Sequence, residues 1–212
     1  MIKICIGIPV YRGFYPQMVE ALLSCLLETQ KKKPDIDFVF KITYRTWLPY
    51  AHRRIVHFAL REKAHYILFV EEDIVPPRDG LLRLLKHNVD CVLGLYWQRS
   101  KPYAPVIAKK NERLGVCEPI WEVPPNELIE IDAGGLGFCL LKTEVFKDVS
   151  FDSFHFERDY ADDIPFFLAL RKKGYKVFCD TSCICQHVQE EFVLVDKKIA
   201  QDFHRQLFKN RQ

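Results

Sequence analysis

Short apolar runs alternate with segments of helical periodicity through the first hundred residues, and this alternation constrains the fold more than any other feature of the chain. The runs have the length and composition of buried strands, and the segments between them repeat apolar residues every three or four positions. The pattern predicts strands at residues 3–8, 37–42, 66–70 and 91–95, and helices at residues 16–30, 50–63 and 80–87. A strand–helix–strand order of this kind predicts an α/β fold, with a mainly parallel sheet and helices on both of its faces.

The rhythm changes after residue 100, where the predicted elements are shorter and separated by polar, proline-rich connections. They are strands at residues 104–108, 128–132, 138–141 and 175–179 and a helix at residues 162–173. No repeat or linker divides the chain, so residues 1–191 are predicted to form a single domain. Residues 192–212 are predicted to form an amphipathic helix, since Val195, Ile199, Phe203 and Leu207 recur every four positions. Docking of this helix on its own domain or on a partner subunit is favoured over a peripheral membrane contact.

Composition excludes several classes of protein. The chain has 212 residues, of which 49% are apolar and 28% charged, as in ordinary globular proteins. A net charge of +3 is too small to indicate nucleic acid as a partner. No apolar segment reaches the roughly 18 residues that a membrane span needs, and the N-terminus shows no signal peptide. We therefore expect a cytoplasmic protein. Of its eight cysteines, Cys5, Cys91 and Cys139 are expected in the core, and the spacing of Cys179, Cys183 and Cys185 indicates zinc only weakly.

Three adjacent carboxylates, Glu71, Glu72 and Asp73, end the apolar run at residues 66–70. Like charges repel one another unless a cation lies among them, and ligands of parallel sheets bind beyond the carboxyl ends of the strands. Alternation along an extended backbone predicts that Glu71 and Asp73 point the same way while Glu72 faces away from them. Two converging carboxylates suit Mg²⁺ or Mn²⁺ that carries a diphosphate. The alternative is a solvated loop of surface acids.

The loop after the first strand offers groups that suit a nucleotide. Pro9 shapes a turn, Tyr11 offers an aromatic face to a base, and Arg12 offers a cation to a phosphate. The loop lacks the glycine fingerprints of dinucleotide-binding proteins and of P-loop proteins. The alternative is a generic turn with an exposed arginine.

Five stretches of the sequence together resemble the family-2 glycosyltransferases of the GT-A fold. The resemblance covers residues 2–187, and it implies metal-dependent transfer of a sugar from a nucleotide-diphosphate sugar to a hydroxyl group, with inversion at the anomeric carbon. The five stretches, in chain order, are IGIPVYRG (6–13), YAHRRIVHFAL (50–60), YILFVEED (66–73), IDAGGLGFCLL (131–141) and YADDIPFFLALRKKGYKV (160–177).

The resemblance implies which residues bind the donor. Pro9, Tyr11 and Arg12 would line the pocket for the base and the ribose, and Arg53, next to Arg54, would lie near the nucleotide. Glu72 is counted with these donor-binding residues. The two glycines Gly134 and Gly135 would border the donor sugar, although a tight turn between two strands explains them equally well.

The resemblance also implies the metal ligands and the general base. Glu71 and Asp73 would occupy the D-x-D metal motif, with glutamate in place of the usual aspartate, and His187 would be a further ligand of Mn²⁺ or Mg²⁺. Asp163 would be the general base, with Asp162 as the alternative. A structural role competes here, because an aspartate at a helix N-terminus caps free N–H groups.

The implied donor is a UDP- or GDP-sugar, and the implied acceptor is a saccharide, a lipid-linked molecule or a protein. A homo-oligomer stays open. Two other functions are kept. A sugar nucleotidyltransferase would show a glycine-rich basic loop after the first strand, which this sequence does not have. A GT-A-shaped nucleotide-binding protein without turnover is kept because of the glutamate at position 71 and the short chain.

Overall fold

A seven-stranded sheet lies between two layers of helices in the computed structural model, which describes residues 1–151, 163–189 and 194–209. The strands are β1 (Ile2–Val10), β2 (Ile36–Tyr44), β3 (Tyr66–Val70), β4 (Ile74–Val75), β5 (Cys91–Leu95), β6 (Ile107–Asn111), β7 (Val116–Pro119), β8 (Leu128–Ile131), β9 (Ala133–Gly134), β10 (Phe138–Lys142), β11 (Val177–Ile184), β12 (Gln186–Val188) and β13 (Leu194–Val195). The helices are α1 (Pro16–Lys32), α2 (Leu48–Arg61), α3 (Gly80–Lys86), α4 (Asp163–Lys172) and α5 (Lys197–Lys209), with a 3-10 turn at Thr143–Lys147.

The large sheet has the strand order β2-β1-β3-β10-β5-β11-β8. The strands β2, β1, β3, β5 and β11 run in one direction, and β10 and β8 run against them. Two smaller sheets, β13-β12-β4 and β7-β6-β9, flank it. The prediction of a mixed, mainly parallel sheet flanked by helices is therefore confirmed.

Burial explains why the strands of the first half read as continuous apolar runs. A strand that is covered on both faces needs apolar side chains at every position. The helices α1 and α3 pack on one face of the sheet, and α2, α4 and α5 pack on the other. A Cβ atom at Gly7 of β1 would overlap the side chain of Ile55, so the glycine allows α2 to lie directly against β1. This close contact fixes the start of α2 beside the carboxyl end of β1.

The structure differs from the predicted elements in the second half of the chain. The predicted strand at residues 104–108 is shifted to Ile107–Asn111. The reason is that the backbone of Ala104 and Val106 bonds to Gln98 and Tyr96 instead of joining the β6 ladder.

The C-terminal segment also begins differently from its prediction. It starts with β13, which pairs with β12, and α5 follows only from Lys197. Val195 and Ala200 are buried in the same apolar cluster as α2 and α4. No helix in the described ranges is long and apolar enough to cross a bilayer.

Candidate functional site

A cavity of about 740 Å³ lies beyond the carboxyl ends of β1 and β3. The chain passes from β1 to β2 on one side and to β3 on the other, so this is the switch in strand order at which ligands of open α/β sheets bind. Seven residues predicted from the sequence line it together: Pro9, Tyr11, Arg12, Glu71, Glu72, Asp73 and His187. The cavity also has six lining residues that were not predicted: Val10, Arg45, Thr46, Trp47, Leu48 and Arg99.

Glu72 holds the loop that follows β1. Its carboxylate accepts hydrogen bonds from the backbone N–H groups of Tyr11 (2.8 Å), Arg12 (3.1 Å) and Gly13 (3.3 Å). The prediction that Glu72 faces away from Glu71 and Asp73 is wrong, because residues 71–73 form a turn and do not continue the alternation of β3. Glu72 therefore lines the same cavity as Glu71 and Asp73. It also fixes the conformation of the loop after β1, which forms another wall of that cavity.

Replacing Glu72 with glutamine is expected to loosen this loop. Glutamine has one acceptor oxygen and no charge, so it cannot hold three N–H groups as a carboxylate does. We expect a loss of about 1–3 kcal/mol in the free energy of unfolding, measured by urea denaturation. Donor affinity should fall in parallel. As a control, the exposed Glu118 on β7 can be changed to glutamine, and an equal loss of stability in both variants would contradict the role of Glu72.

Asp73 is a buried carboxylate with two cationic or polar partners on one oxygen. Its Oδ2 lies 2.8 Å from Nη1 of Arg99 and 3.3 Å from Nε2 of His187. Burial raises the pKa of Asp73, but the hydrogen bond and charge of His187 and the charge of Arg99 outweigh it, so that the pKa is lowered. Asp73 is therefore ionised at neutral pH.

The orientation of His187 suits a bound cation. Its Nδ1 lies 2.8 Å from the carbonyl oxygen of Trp97, so Nδ1 must carry a proton and donate it. With Nδ1 bonded in this way, Nε2 faces the carboxylate of Asp73, and the two groups can share either a proton, as in the hydrogen bond that lowers the pKa of Asp73, or a metal ion. Metal-binding histidines commonly donate their other ring N–H to a carbonyl in this way. Asp73 and His187 thus fit two ligands of one ion.

Pairing of small strands brings the side chains of Asp73 and His187 together. β4 follows Asp73 directly and pairs with β12, in which His187 lies opposite Ile74. The backbone N–H of Val188 also donates to the carbonyl oxygen of Asp73 (2.8 Å). His187 is therefore held beside Asp73 by the backbone, although 114 positions separate them in the chain.

Glu71 lines the cavity but does not complete a set of three ligands. In the described part of the chain, no group of three or more His, Cys, Asp or Glu side chains is arranged to hold a metal ion. Participation of Glu71 as a ligand remains a prediction.

The buried Tyr96 places the start of α4 near this end of the sheet. Burial raises the pKa of Tyr96 well above its usual value, and the negative charges of Glu71, Asp163 and Asp73 raise it further. The ring of Tyr96 also meets that of His187 edge to face at 5.6 Å. The carboxylates of Glu71, Asp163 and Asp73 thus all act on the hydroxyl group of this one tyrosine. Asp162 lies outside the described residues.

The glycine cluster has a packing role around the same tyrosine. A Cβ atom at Gly135 would overlap the hydroxyl oxygen of Tyr96, and one at Gly134 would come within 2.9 Å of Leu93. Neither glycine lines the 740 Å³ cavity. The close packing explains both glycines, and a contact of Gly134 or Gly135 with a donor sugar stays a prediction.

Arg53 does not line the cavity that the resemblance implied for it. The structure begins α2 at Leu48 rather than at residue 50, and Arg53 lines a neighbouring cavity with Arg54. The cation from this segment that reaches the main cavity is Arg45. Its basic character was readable in the sequence, but its position was not, because it lies in the loop between β2 and α2. No local pattern in the sequence indicated that Arg99 belongs to the site, because its partner Asp73 is 26 residues away in the chain.

Comparison with known proteins gives likenesses at the level of structure. No protein-family model and no curated protein matches the sequence. Among solved structures, A197 from STIV is 18% identical with a TM-score of 0.57, and the match covers 92% of this chain and 94% of that one. GalNAc-T7, solved with UDP, GalNAc and Mn²⁺, is 10% identical with a TM-score of 0.56, over 88% of this chain and 43% of that one. S. aureus TarS is 13% identical with a TM-score of 0.47, over 84% and 58%.

The likenesses to A197 and GalNAc-T7 show the fold. The chain has the GT-A fold, an α/β architecture with a mainly parallel central sheet, which it shares with the glycosyltransferase GalNAc-T7. The chain spans less than half the length of GalNAc-T7 and nearly all of A197.

Proposed function

We propose that this protein is a glycosyltransferase, of the family-2 type, that transfers a sugar from a UDP- or GDP-sugar to an acceptor hydroxyl. The observation that carries the proposal is the meeting of Asp73 and His187, 3.3 Å apart, in a 740 Å³ cavity at the switch in strand order. The GT-A fold supports it. The structure of GalNAc-T7 with UDP, GalNAc and Mn²⁺ shows what that fold neighbour binds, and we extend the same kind of ligands to this chain.

The nucleotide would bind along the wall formed by the loop after β1. Tyr11 is 64% exposed and can stack on the base. Arg12 and Arg45 line the same cavity and supply guanidinium groups to the phosphates. Glu72 holds the backbone of Tyr11 and Arg12, so this wall is organised before the donor arrives.

A divalent ion, Mn²⁺ or Mg²⁺, would be held by Asp73 and His187, with Glu71 in the same cavity. When bound, such an ion neutralises the diphosphate as its negative charge grows. Arg99 now shares the oxygen of Asp73 at 2.8 Å. Once that carboxylate is engaged elsewhere, the guanidinium of Arg99 becomes available to the diphosphate oxygens.

Asp163 would accept the proton of the acceptor hydroxyl while the oxygen of that hydroxyl attacks the anomeric carbon of the donor sugar. The new bond to the acceptor oxygen forms while the bond to the diphosphate oxygen breaks, so one direct displacement inverts the anomeric configuration. The charge of Asp163 acts on Tyr96, whose ring contacts that of His187, and this supports the role. Asp162 is the alternative base.

The ion pair between Arg99 and Asp73 favours a second candidate function, which is nucleotide-sugar binding without turnover. A guanidinium in contact with the proposed ligand Asp73 can take the place of a metal ion. Such a protein would bind the nucleotide without any dependence on a cation. The two candidates therefore differ in their response to a chelator.

A panel of nucleotide sugars tested by thermal shift separates these candidates. A donor at 100 times its Kd stabilises the protein by about 2.7 kcal/mol, which corresponds to a rise in Tm of roughly 5–10 °C for a chain of this size. We expect this rise with one UDP- or GDP-sugar and Mn²⁺, and a much smaller one with EDTA. Release of the nucleoside diphosphate, measured with the same donor, then establishes turnover. If no donor shifts the Tm and EDTA makes no difference, the proposal is wrong.

A further inference from the structure

A stretch of the chain beside the donor cavity contains basic and aromatic residues but no acidic ones. Residues 38–61 include no aspartate or glutamate, although these make up 28 of the 212 residues. The stretch forms most of β2 and all of α2. The acidic residues that flank it in the chain are Asp35, Asp37 and Glu62, of which Glu62 forms an ion pair with Arg61 (3.6 Å). It holds five basic residues, Lys41, Arg45, Arg53, Arg54 and Arg61, and six aromatic ones, Phe38, Phe40, Tyr44, Trp47, Tyr50 and Phe58.

Part of this stretch encloses a second cavity, of about 580 Å³. Its walls carry three guanidinium groups, from Arg45, Arg53 and Arg54, and three aromatic rings, and none of its described lining residues is acidic. The guanidinium of Arg45 lies 5.3 Å from the ring of Tyr44, and that of Arg53 lies 5.6 Å from the ring of Tyr50. Guanidinium groups supported by aromatic rings form a concave, rigid site for a phosphate.

Exposed apolar side chains lie on the edge strand that leads to the cavity, on the face of the sheet that α1 covers, whereas Arg53 and Arg54 lie on α2 at the other face. β2 is an edge strand, and on its outer half Phe40 (50% exposed), Ile42 (48%) and Tyr44 point to the same side. Leu48 at the start of α2 is 38% exposed, and Trp47 beside it is also exposed. These five residues and the three arginines form what we call the β2-edge face.

The apolar surface continues onto α1. Leu23 and Leu27 are both exposed, and they lie on one side of α1 together with Gln30, at positions i, i+4 and i+7. Gln30 donates a hydrogen bond to the carbonyl oxygen of Ile36 in β2 (3.0 Å), so this side of α1 is the one beside β2. An exposed apolar surface of this extent indicates an interaction site.

We propose that the β2-edge face docks on an anionic lipid bilayer, with a lipid phosphate in the arginine-lined cavity. Aromatic side chains such as Trp47 and Tyr44 are typical of the headgroup level, aliphatic side chains such as Ile42 enter the acyl boundary, and arginines bind the anionic headgroups. The edge of the sheet brings the three kinds of residue together: the arginines lie on the α2 side, the aliphatic residues lie on the α1 side, and Tyr44 and Trp47 line the cavity.

Two other partners fit the face less well. A nucleic acid would engage the arginines and the aromatic rings, but it would leave Ile42, Leu23 and Leu27 in contact with water. A second copy of this chain, paired antiparallel through β2, would cover the apolar edge strand, but it would bring no phosphate group to the cavity lined by Arg45, Arg53 and Arg54. Charge complementarity therefore favours the anionic lipid surface.

The docking also explains how the two cavities relate, provided that the proposed function holds. Arg45, Thr46 and Trp47 line both cavities, so they form a common wall. Docking of the β2-edge face would place the donor cavity next to the membrane. The resemblance implies a saccharide, a lipid-linked molecule or a protein as the acceptor. A donor cavity next to the membrane favours the lipid-linked molecule.

Flotation with vesicles tests the docking independently of catalysis. We expect the protein to float with vesicles of phosphatidylcholine containing 30% phosphatidylglycerol and not with pure phosphatidylcholine, and the bound fraction to fall with rising salt. In the double variant Arg53→Ala/Arg54→Ala, the affinity for the anionic vesicles should fall by about tenfold or more. The matched control is Lys172→Ala/Lys173→Ala, which removes two exposed charges at the end of α4 and should bind as the unchanged protein does.

Three results would overturn the docking proposal. They are an absence of flotation with anionic vesicles, equal binding to both kinds of vesicle, and unchanged binding by the Arg53→Ala/Arg54→Ala variant with an unchanged Tm. Tight binding of a single-stranded oligonucleotide without vesicle binding would assign the face to nucleic acid instead. Arg53 and Arg54 do not line the donor cavity, so the thermal shift with the donor should persist in the double variant. A failure of the docking is thereby distinguished from a failure of the proposed transfer.

Discussion

Replacing Asp73 with asparagine is expected to reduce sugar transfer by at least 10²-fold. The substitution keeps the shape of the side chain but removes the negative charge that Arg99 and His187 share. Removal of one preorganised electrostatic group from an active site commonly costs 10²–10³ in kcat. The rate is measured as release of the nucleoside diphosphate, and binding of Mn²⁺ is measured separately by calorimetry, where we also expect a large loss of affinity.

A matched aspartate is available as a control for Asp73. Asp79 precedes α3 and forms an ion pair with Arg83 (2.7 Å), and it does not line the cavity. Asp79→Asn should leave both transfer and Mn²⁺ binding unchanged. If Asp73→Asn keeps its affinity for Mn²⁺ and its stimulation by the ion, Asp73 is not a ligand and the arrangement with His187 has a structural purpose only.

Replacing Asp163 with asparagine is expected to lower kcat by about 10²–10⁴-fold, the usual contribution of a general base. Asp163 does not line the donor cavity, so the KM for the donor and the thermal shift with the donor should not change. The measurement is a full set of initial rates over donor and acceptor concentrations. Analysis of the anomeric configuration of the product by NMR tests inversion in the same experiment.

The neighbouring Asp162 serves as the control for Asp163. Loss of an acid at the start of α4 costs about 0.5–2 kcal/mol of stability through the cap and the helix dipole, so the Tm of each variant must be recorded. A lower Tm with unchanged kcat in Asp163→Asn would identify a helix cap rather than a base. A fall in kcat for Asp162→Asn alone would transfer the role of base to Asp162.

Local patterns were sufficient to predict most of the sheet. β3 and β5 begin and end where the apolar runs predicted, because strands buried on both faces leave an uninterrupted apolar signal. The position of the site at the carboxyl end of β3 was also predicted, since it follows from the parallel order of the strands. His187 came from the resemblance alone, because its place depends on the pairing of β12 with β4.

The direction of side chains just beyond a strand was the main error. Successive side chains point to opposite sides only while the backbone is extended. The backbone stops being extended after Val70, because residues 71–73 form a turn. Glu72 was therefore aimed wrongly. The roles of Arg45 and Arg99 depend on contacts between distant segments, and the sequence contains no local signature for such contacts. Arg53 was assigned to the nucleotide, whereas the structure places it in the neighbouring cavity.

The ion pair between Arg99 and Asp73 has a consequence for how the protein can be handled and loaded. A buried carboxylate usually needs a cation, and here the chain supplies one itself, so dialysis against a chelator should leave the fold intact. Under the proposed function, a free metal ion would have to compete with the guanidinium for Asp73. An ion that arrives on a diphosphate brings Arg99 a new anion in exchange. We therefore expect the ion and the donor to bind together rather than one after the other. The side chain that imposes this is Arg99, which is 26 residues away from Asp73 in the chain.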